Sequence, residues 1–197
     1  MDEKRTVKVS KFLALVLRHD PGAVGLALDE GGWVAVDELI AACDRAGRRF
    51  SRTELDHVVA TNNKKRYEYS PDGRRIRASQ GHSVPVDLGL AAAPPPDVLF
   101  HGTATTTLPL ILRDGLLPMS RQDVHLSADV ETAVRVGARH GRPVVLEVDA
   151  ARLAAEGHVF RVSANGVWLT DRVPAARLRQ RPVQPDRAAG VRPSSCP

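Results

Sequence analysis

Residues 66–78, RYEYSPDGRRIRA, decide how the first half of the chain folds. Tyr67, Tyr69 and Ile76 alternate with charged side chains on either side of Pro71, Asp72 and Gly73, the pattern of strand (66–70), turn and strand (74–78) with one apolar face. Upstream, Val9, Phe12, Leu13, Val16 and Leu17 recur at helical spacing and predict a helix over 7–19, closed by Asp20, Pro21 and Gly22. Residues 31–34 read as a turn into a short strand. Residues 36–46 read as a second helix with Leu39, Ile40 and Cys43 inward. Ser51 and Glu54 form a capping box for a third helix, whose inner face is Leu55, Val58 and Val59. Helices followed by a hairpin predict a winged-helix lobe over 1–83.

The charges of this lobe bear on function. Arg66 and Glu68 alternate away from the tyrosines, and Arg75 and Arg77 away from Ile76, so one face of the hairpin is expected to be basic. Such a face either guards a strand edge or, with Lys64 and Lys65 beside it, meets nucleic-acid phosphate. Arg18 and His19 stand at the exit of the first helix, where they either complement its negative end or hold a phosphate between a fixed cation and a titratable imidazole. The net charge of +5, from 28 Lys and Arg against 23 acids, favours an anionic partner.

Composition narrows the class. The 197 residues suit one large or two small domains, and no apolar run approaches the roughly 20 residues of a membrane span. Residues 1–6 are too charged to begin a signal peptide, so a cytoplasmic protein without membrane attachment is expected. Cys43 and Cys196 are too isolated for a disulfide framework. The histidines show no paired ligand spacing, so neither metal nor disulfide is expected.

Past Ser83, residues 84–97, with three Ala and then three Pro, read as a semi-rigid linker. A second lobe over 98–181 then alternates strands with short helices: a strand ending in His101, Gly102 and Thr103, a helix over 108–114, a strand over 124–126, and a helix over 128–139 that Ser127 could cap. A strand over 144–148 follows, then a hairpin around Asn165 and Gly166. The segment 182–197 is expected to be a disordered tail. No GxGxxG or GxxxxGK[ST] is present, so a nucleotide must be held another way. His101 at a strand end is either a donor to a ligand ribose or a hydrogen-bonded strand-end histidine, with Gly102 permitting close backbone approach. His125 points away from the core of Val124 and Leu126, toward a cleft or solvent.

The ordered set Arg18, His19; Asn63, Lys64, Lys65, Arg66; Ile76, Arg77, Ala78; Gln80, Gly81, His82, Ser83; His101, Gly102, Thr103; and residues 115–121 through His125, Leu126, Ser127 resembles the RNA 2′-phosphotransferase family. The resemblance implies an α+β protein: an N-terminal winged-helix lobe that binds RNA and a C-terminal, β-rich ADP-ribosyltransferase-like lobe that binds NAD. Family members remove an internal RNA 2′-phosphate, such as that left at a tRNA splice junction or in RNA repair, by transferring it to NAD, which is consumed. It further implies catalytic roles for Arg18, His19, Arg66 and Arg121, and NAD contacts for His101, Gly102, Thr103 and Ser127, with His82 and Ser83 near the lobe junction. RNA contacts fall to Arg18, Lys64, Lys65, Arg66, Arg75 and Arg77, in a monomer that needs no metal.

The chemistry so implied suits three arginines and a histidine. The 2′-phosphate is itself the nucleophile, attacking C1″ of the nicotinamide ribose and expelling nicotinamide, so that step needs no strong base. O2″ then attacks phosphorus, the RNA 2′-oxygen leaves, and ADP-ribose 1″,2″-cyclic phosphate forms. The hairpin where many ADP-ribosyltransferases carry a catalytic Glu reads Asn165, Gly166, Val167, Trp168, which a phosphate nucleophile tolerates. Two rivals remain: an ADP-ribosyltransferase acting on nucleic-acid 5′-phosphate ends or protein, and a winged-helix DNA-binding regulator, for which residues 55–63 make a poor recognition helix.

Overall fold

A computed structural model describes residues 1–62 and 65–182, an α+β arrangement of short helices and small antiparallel sheets. Helix α1 (Glu3–Arg18) begins earlier than its apolar stripe suggests, because the Asp2 carboxylate caps it by accepting from the Arg5 amide at 2.7 Å. Its first turn carries no core residue, so periodicity could not reveal it. Val9, Leu13, Val16 and Leu17 of α1 share one core with Leu39 of α2 (Val36–Arg45) and Leu55 and Val58 of α3 (Arg52–Ala60). The capping box of α3 forms in both directions, and Arg5 Nε donates to Glu54 at 3.0 Å, tying the starts of α1 and α3 together. Strands β1 (Val34–Ala35), β2 (Tyr67–Tyr69) and β3 (Arg75–Ala78) form a sheet in the order β1-β3-β2. The register Tyr69↔Ile76 and Tyr67↔Ala78 turns the apolar face of the hairpin onto this core.

A second core gathers Leu99, Leu126, Leu146, Val148, Leu153 and Phe160. It is built from β4 (Val98–Ala104), β5 (Val124–Leu126), β6 (Pro143–Asp149), β7 (Arg161–Val162), β8 (Trp168–Thr170) and β9 (Leu178–Arg181), in sheets ordered β4-β6-β9 and β5-β8-β7. Phe100 and Ser127 join the sheets by exchanging backbone hydrogen bonds of 2.9 and 2.7 Å. That commitment corrects one expectation. Helix α5 (Val130–Gly137) is capped by Asp129, which accepts from the Thr132 amide, and not by Ser127. Helix α4 (Leu108–Asp114) lies where expected, whereas the short α6 (Ala150–Ala155) and the polar edge strand β9 carry no periodic signal. Residues 84–97 are pinned at both ends, by Asp87 to Glu30 at 2.7 Å and by Ala93 to Phe160 at 2.9 Å. Of the expected tail, residues 183–197 lie outside the described residues.

Gly102 is explained by α5. A Cβ at Gly102 would lie 1.7 Å from the Ala133 carbonyl oxygen, and one at Gly137 2.5 Å from that of Thr103, so helix and strand meet at backbone contact. The close approach expected at Gly102 is thus to a helix of the same chain. Gly102→Ala must push β4 from α5, and chemical denaturation should show a loss of about 3 kcal/mol, the upper range for overpacking. An unchanged midpoint would contradict this packing account.

Candidate active site

Helix α1 ends at Arg18 because the His19 and Asp20 amides both return to the Leu15 carbonyl at 2.9 Å, after which Asp20 caps the turn Pro21–Val24 through the Ala23 amide. The Arg18 carbonyl accepts from the Ser83 amide at 2.8 Å, which straps the segment following the hairpin to the helix end. The Arg18 guanidinium passes over Gly81, whose missing Cβ would sit 3.5 Å from Nη1, and donates to the Arg66 carbonyl at 3.3 Å. Arg66 in turn donates to Asn62 Oδ1 at 3.3 Å. His19 Nδ1 lies 3.0 Å from Ser83 Oγ, and that hydroxyl reaches the Arg18 carbonyl at 3.4 Å. With the hydroxyl donating to the carbonyl, Nδ1 carries the proton and Nε2 is left for a ligand.

The second core supplies the opposite wall. Arg121 follows Met119, whose φ of 60° is left-handed; Lys65, with φ of 40°, precedes Arg66. Among the described residues these are the non-glycine positions with positive φ, and backbone held this way clusters at functional sites. Gln122 joins the walls: its amide donates to the His82 carbonyl at 3.2 Å and its side chain to the Val86 carbonyl at 3.1 Å. His101 Nδ1 donates to the His125 carbonyl at 3.1 Å. His125 faces the cations of this cleft: Arg121 and Arg18 both act on it, and its buried Nε2 has no hydrogen-bond partner. The same holds for the buried Arg18 Nε and His82 Nε2.

The charges acting on this cluster are mostly cations. Burial, opposed by the Tyr67 phenol and reinforced by Arg66 and Arg121, pulls the Arg18 guanidinium down to about 10, so it is still charged at neutral pH. Burial and Arg18 bring His82 down to about 4, and burial and Arg121 bring His125 down to about 3. His19 and His101 are also lowered, chiefly by burial, with Arg121 adding to both. Arg121 is lowered by partial desolvation and by Arg139. Neutral imidazoles and charged guanidiniums gathered, among the described residues, without a carboxylate make a site whose repulsion an anion relieves.

Not every expected residue joins it. On the hairpin face expected to be basic, Arg77 is engaged within the chain: it donates to Glu68 at 2.6 Å, to the Gly31 and Leu88 carbonyls at 3.2 Å, and stacks over Trp33 at 4.4 Å. Arg75 pairs with Asp29 at 3.3 Å and lies over the same ring at 5.3 Å. Arg66 remains as the hairpin arginine in the cleft, with Lys65 exposed beside it; Lys64 lies outside the described residues. Thr103 is buried on β4 and Ser127 is held by its bridge to Phe100. Sequence reasoning missed Asn62 and Gln122. Asn62 adjoins the basic run and was within reach, whereas nothing in the periodicity marks Gln122.

A family model described as RNA 2′-phosphotransferase, Tpt1 / KptA family, matches residues 4–172. A protein of Streptomyces coelicolor named probable RNA 2′-phosphotransferase is 60% identical over 179 residues, covering 91% of this chain and 97% of its own. Proteins of the same name from Agrobacterium fabrum, 56% identical over 169 residues (86% and 91% covered), and Herpetosiphon aurantiacus, 54% over 178 residues (90% and 98%), are similar along nearly their whole length. With a match spanning both cores and the cation cluster between them, the chain belongs to the RNA 2′-phosphotransferase family.

Proposed function

We propose that this protein is an NAD-dependent RNA 2′-phosphotransferase, a cytoplasmic monomer whose N-terminal winged-helix lobe presents the RNA and whose C-terminal ADP-ribosyltransferase-like lobe takes NAD. The observation that carries this reading is the convergence of Arg18, Arg66 and Arg121 with His19, His101 and His125 and, among the described residues, no carboxylate paired with them. The unpartnered Nε2 of His125, with His101 beside it, fits a polar ligand entering between the lobes, whereas the His82 Nε2 packs toward Gly32.

The arginines hold the 2′-phosphate dianion by charge-assisted contacts and fix one of its oxygens toward C1″ of the nicotinamide ribose. A P–O–C1″ bond forms, the glycosidic C–N bond breaks, and nicotinamide leaves as a neutral base with that electron pair. O2″ then bonds to phosphorus, giving up its proton, while the bond to the RNA 2′-oxygen breaks and that oxygen is protonated. His19 and the arginines stabilise the charge developing there.

Incubating the protein with an RNA carrying one internal 2′-phosphate, with and without NAD, tests this by mass spectrometry. One NAD should be consumed per phosphate removed, with ADP-ribose cyclic phosphate formed. Inorganic phosphate appearing without loss of NAD would refute the reading, and modification of a control RNA bearing only a 5′-phosphate would shift it to end ADP-ribosylation.

A further inference from the structure

On α1, Lys4, Lys8 and Lys11 recur at the spacing that puts them on one helical face, and the same face ends in Arg18. All three lysines are exposed, and no side chain among the described residues pairs with them. At 1.5 Å per residue they form a line of about 10 Å whose near end stands about 10 Å from Arg18. Beside it the α2–α3 connection adds Arg48, stacked on Phe12 at 5.5 Å and with no side-chain ion pair among the described residues, and Lys8 and Arg48 line one shallow concavity. The neighbouring Arg5 and Arg49 are, by contrast, neutralised by Glu54 and Asp44.

We propose that this track binds the phosphate backbone of the RNA away from the modified nucleotide, so that the enzyme grips several nucleotides on one side of the 2′-phosphate. The inference rests on RNA being the substrate. A polyanion is what unpaired, collinear cations attract, and the track's alignment with the cation cluster lets one strand reach both. Along the roughly 20 Å from Lys4 to Arg18, a stacked strand at about 3.4 Å per nucleotide offers some six phosphates. Exposed Val7 lies beside the line and exposed Leu15 on it between Lys11 and Arg18, so an anionic membrane surface is the competing partner that the test must separate.

The full chain and its Lys4→Gln, Lys8→Gln, Lys11→Gln triple variant should be compared by fluorescence anisotropy on RNAs of about five and about twenty nucleotides, each with one internal 2′-phosphate, over a salt series. Gln keeps helix propensity, and circular dichroism verifies that α1 persists. For the longer RNA, affinity at low salt should fall roughly tenfold and the log–log salt slope should shrink by about 2, near 0.7 per lysine. The shorter RNA should bind both proteins alike, and the Lys→Arg triple variant should bind the longer RNA like the unmodified chain. Equal slopes on the longer RNA, or an equal loss on the shorter one, would overturn the proposal. So would loss of flotation with phosphatidylserine vesicles while RNA binding is unchanged. Absence of NAD-dependent phosphate removal, with the length-dependent binding intact, would refute the proposed reaction and leave the track standing.

Discussion

Arg18→Met should lower the rate of 2′-phosphate removal by roughly 10³ while leaving the fold as stable or more so, the loss being that of a preorganised charge-assisted contact. Met keeps the apolar stem of Arg18, so the packing at the end of α1 survives. Little structural bonding is lost. The guanidinium donates to the Arg66 carbonyl, which also accepts from the Ser79 amide, and the strap from Ser83 runs to the Arg18 backbone. What disappears is repulsion: Arg18 is pressed by Arg66 and Arg121 and itself lowers His19 and His82. Removing it should raise the His82 imidazole somewhat, observable by NMR titration, while burial still holds it below its ordinary range, and should add up to about 1 kcal/mol of stability, as relief of functional-site strain does. Parallel losses of activity and melting temperature would show instead that Arg18 is a structural residue.

The parts of this molecule legible in its sequence are those governed by neighbours a few residues apart. The Ser51–Glu54 capping box, the alternation of Tyr67, Tyr69 and Ile76 and the turn at Asn165 and Gly166 each state a local rule that the chain obeys. What sequence could not show was competition between partners distant in the chain. Ser127 is a good cap by type, yet the strand bridge to Phe100 claims its backbone and leaves the cap to Asp129. Arg75 and Arg77 look like a phosphate-binding face until Asp29, Glu68 and Trp33 are brought against them. Of these, the Glu68↔Arg77 register was recoverable, since the hairpin pairs them directly across the strands. The cleft is the extreme case. Arg18, Arg66, His82, Arg121 and His125 come from four separate segments on two cores, and nothing in the spacing announces that Gln122 draws the second core onto the His82–Val86 strand of chain.

His19→Ala should still release nicotinamide but accumulate the RNA-phospho-ADP-ribose intermediate, with the second step slowed by about 10², the usual reach of acid–base assistance. In the proposed reaction the first step expels a neutral leaving group and needs orientation alone, which the arginines provide. The second step expels the RNA 2′-oxygen, which needs a proton. His19 suits that need better than its neighbours. His82 and His125 are depressed to about 4 and 3 by burial, far from service as acids near neutrality, whereas His19 is exposed and its lowering rests partly on Arg18 and Arg121. A bound phosphate dianion offsets those two cations and draws the imidazole back toward its ordinary value. RNA binding should therefore take up a proton just below the ordinary imidazole value of about 6.5, and the second step should slow as pH rises through the restored value. Ser83, 3.0 Å from Nδ1, holds the ring with Nε2 outward, so Ser83→Ala should produce a weaker form of the same defect. End-labelled RNA quenched over time and resolved by gel separates substrate, intermediate and product. If His19→Ala stalls before nicotinamide is lost and no intermediate builds up, His19 serves the first step, and the proton for the departing 2′-oxygen must come from elsewhere.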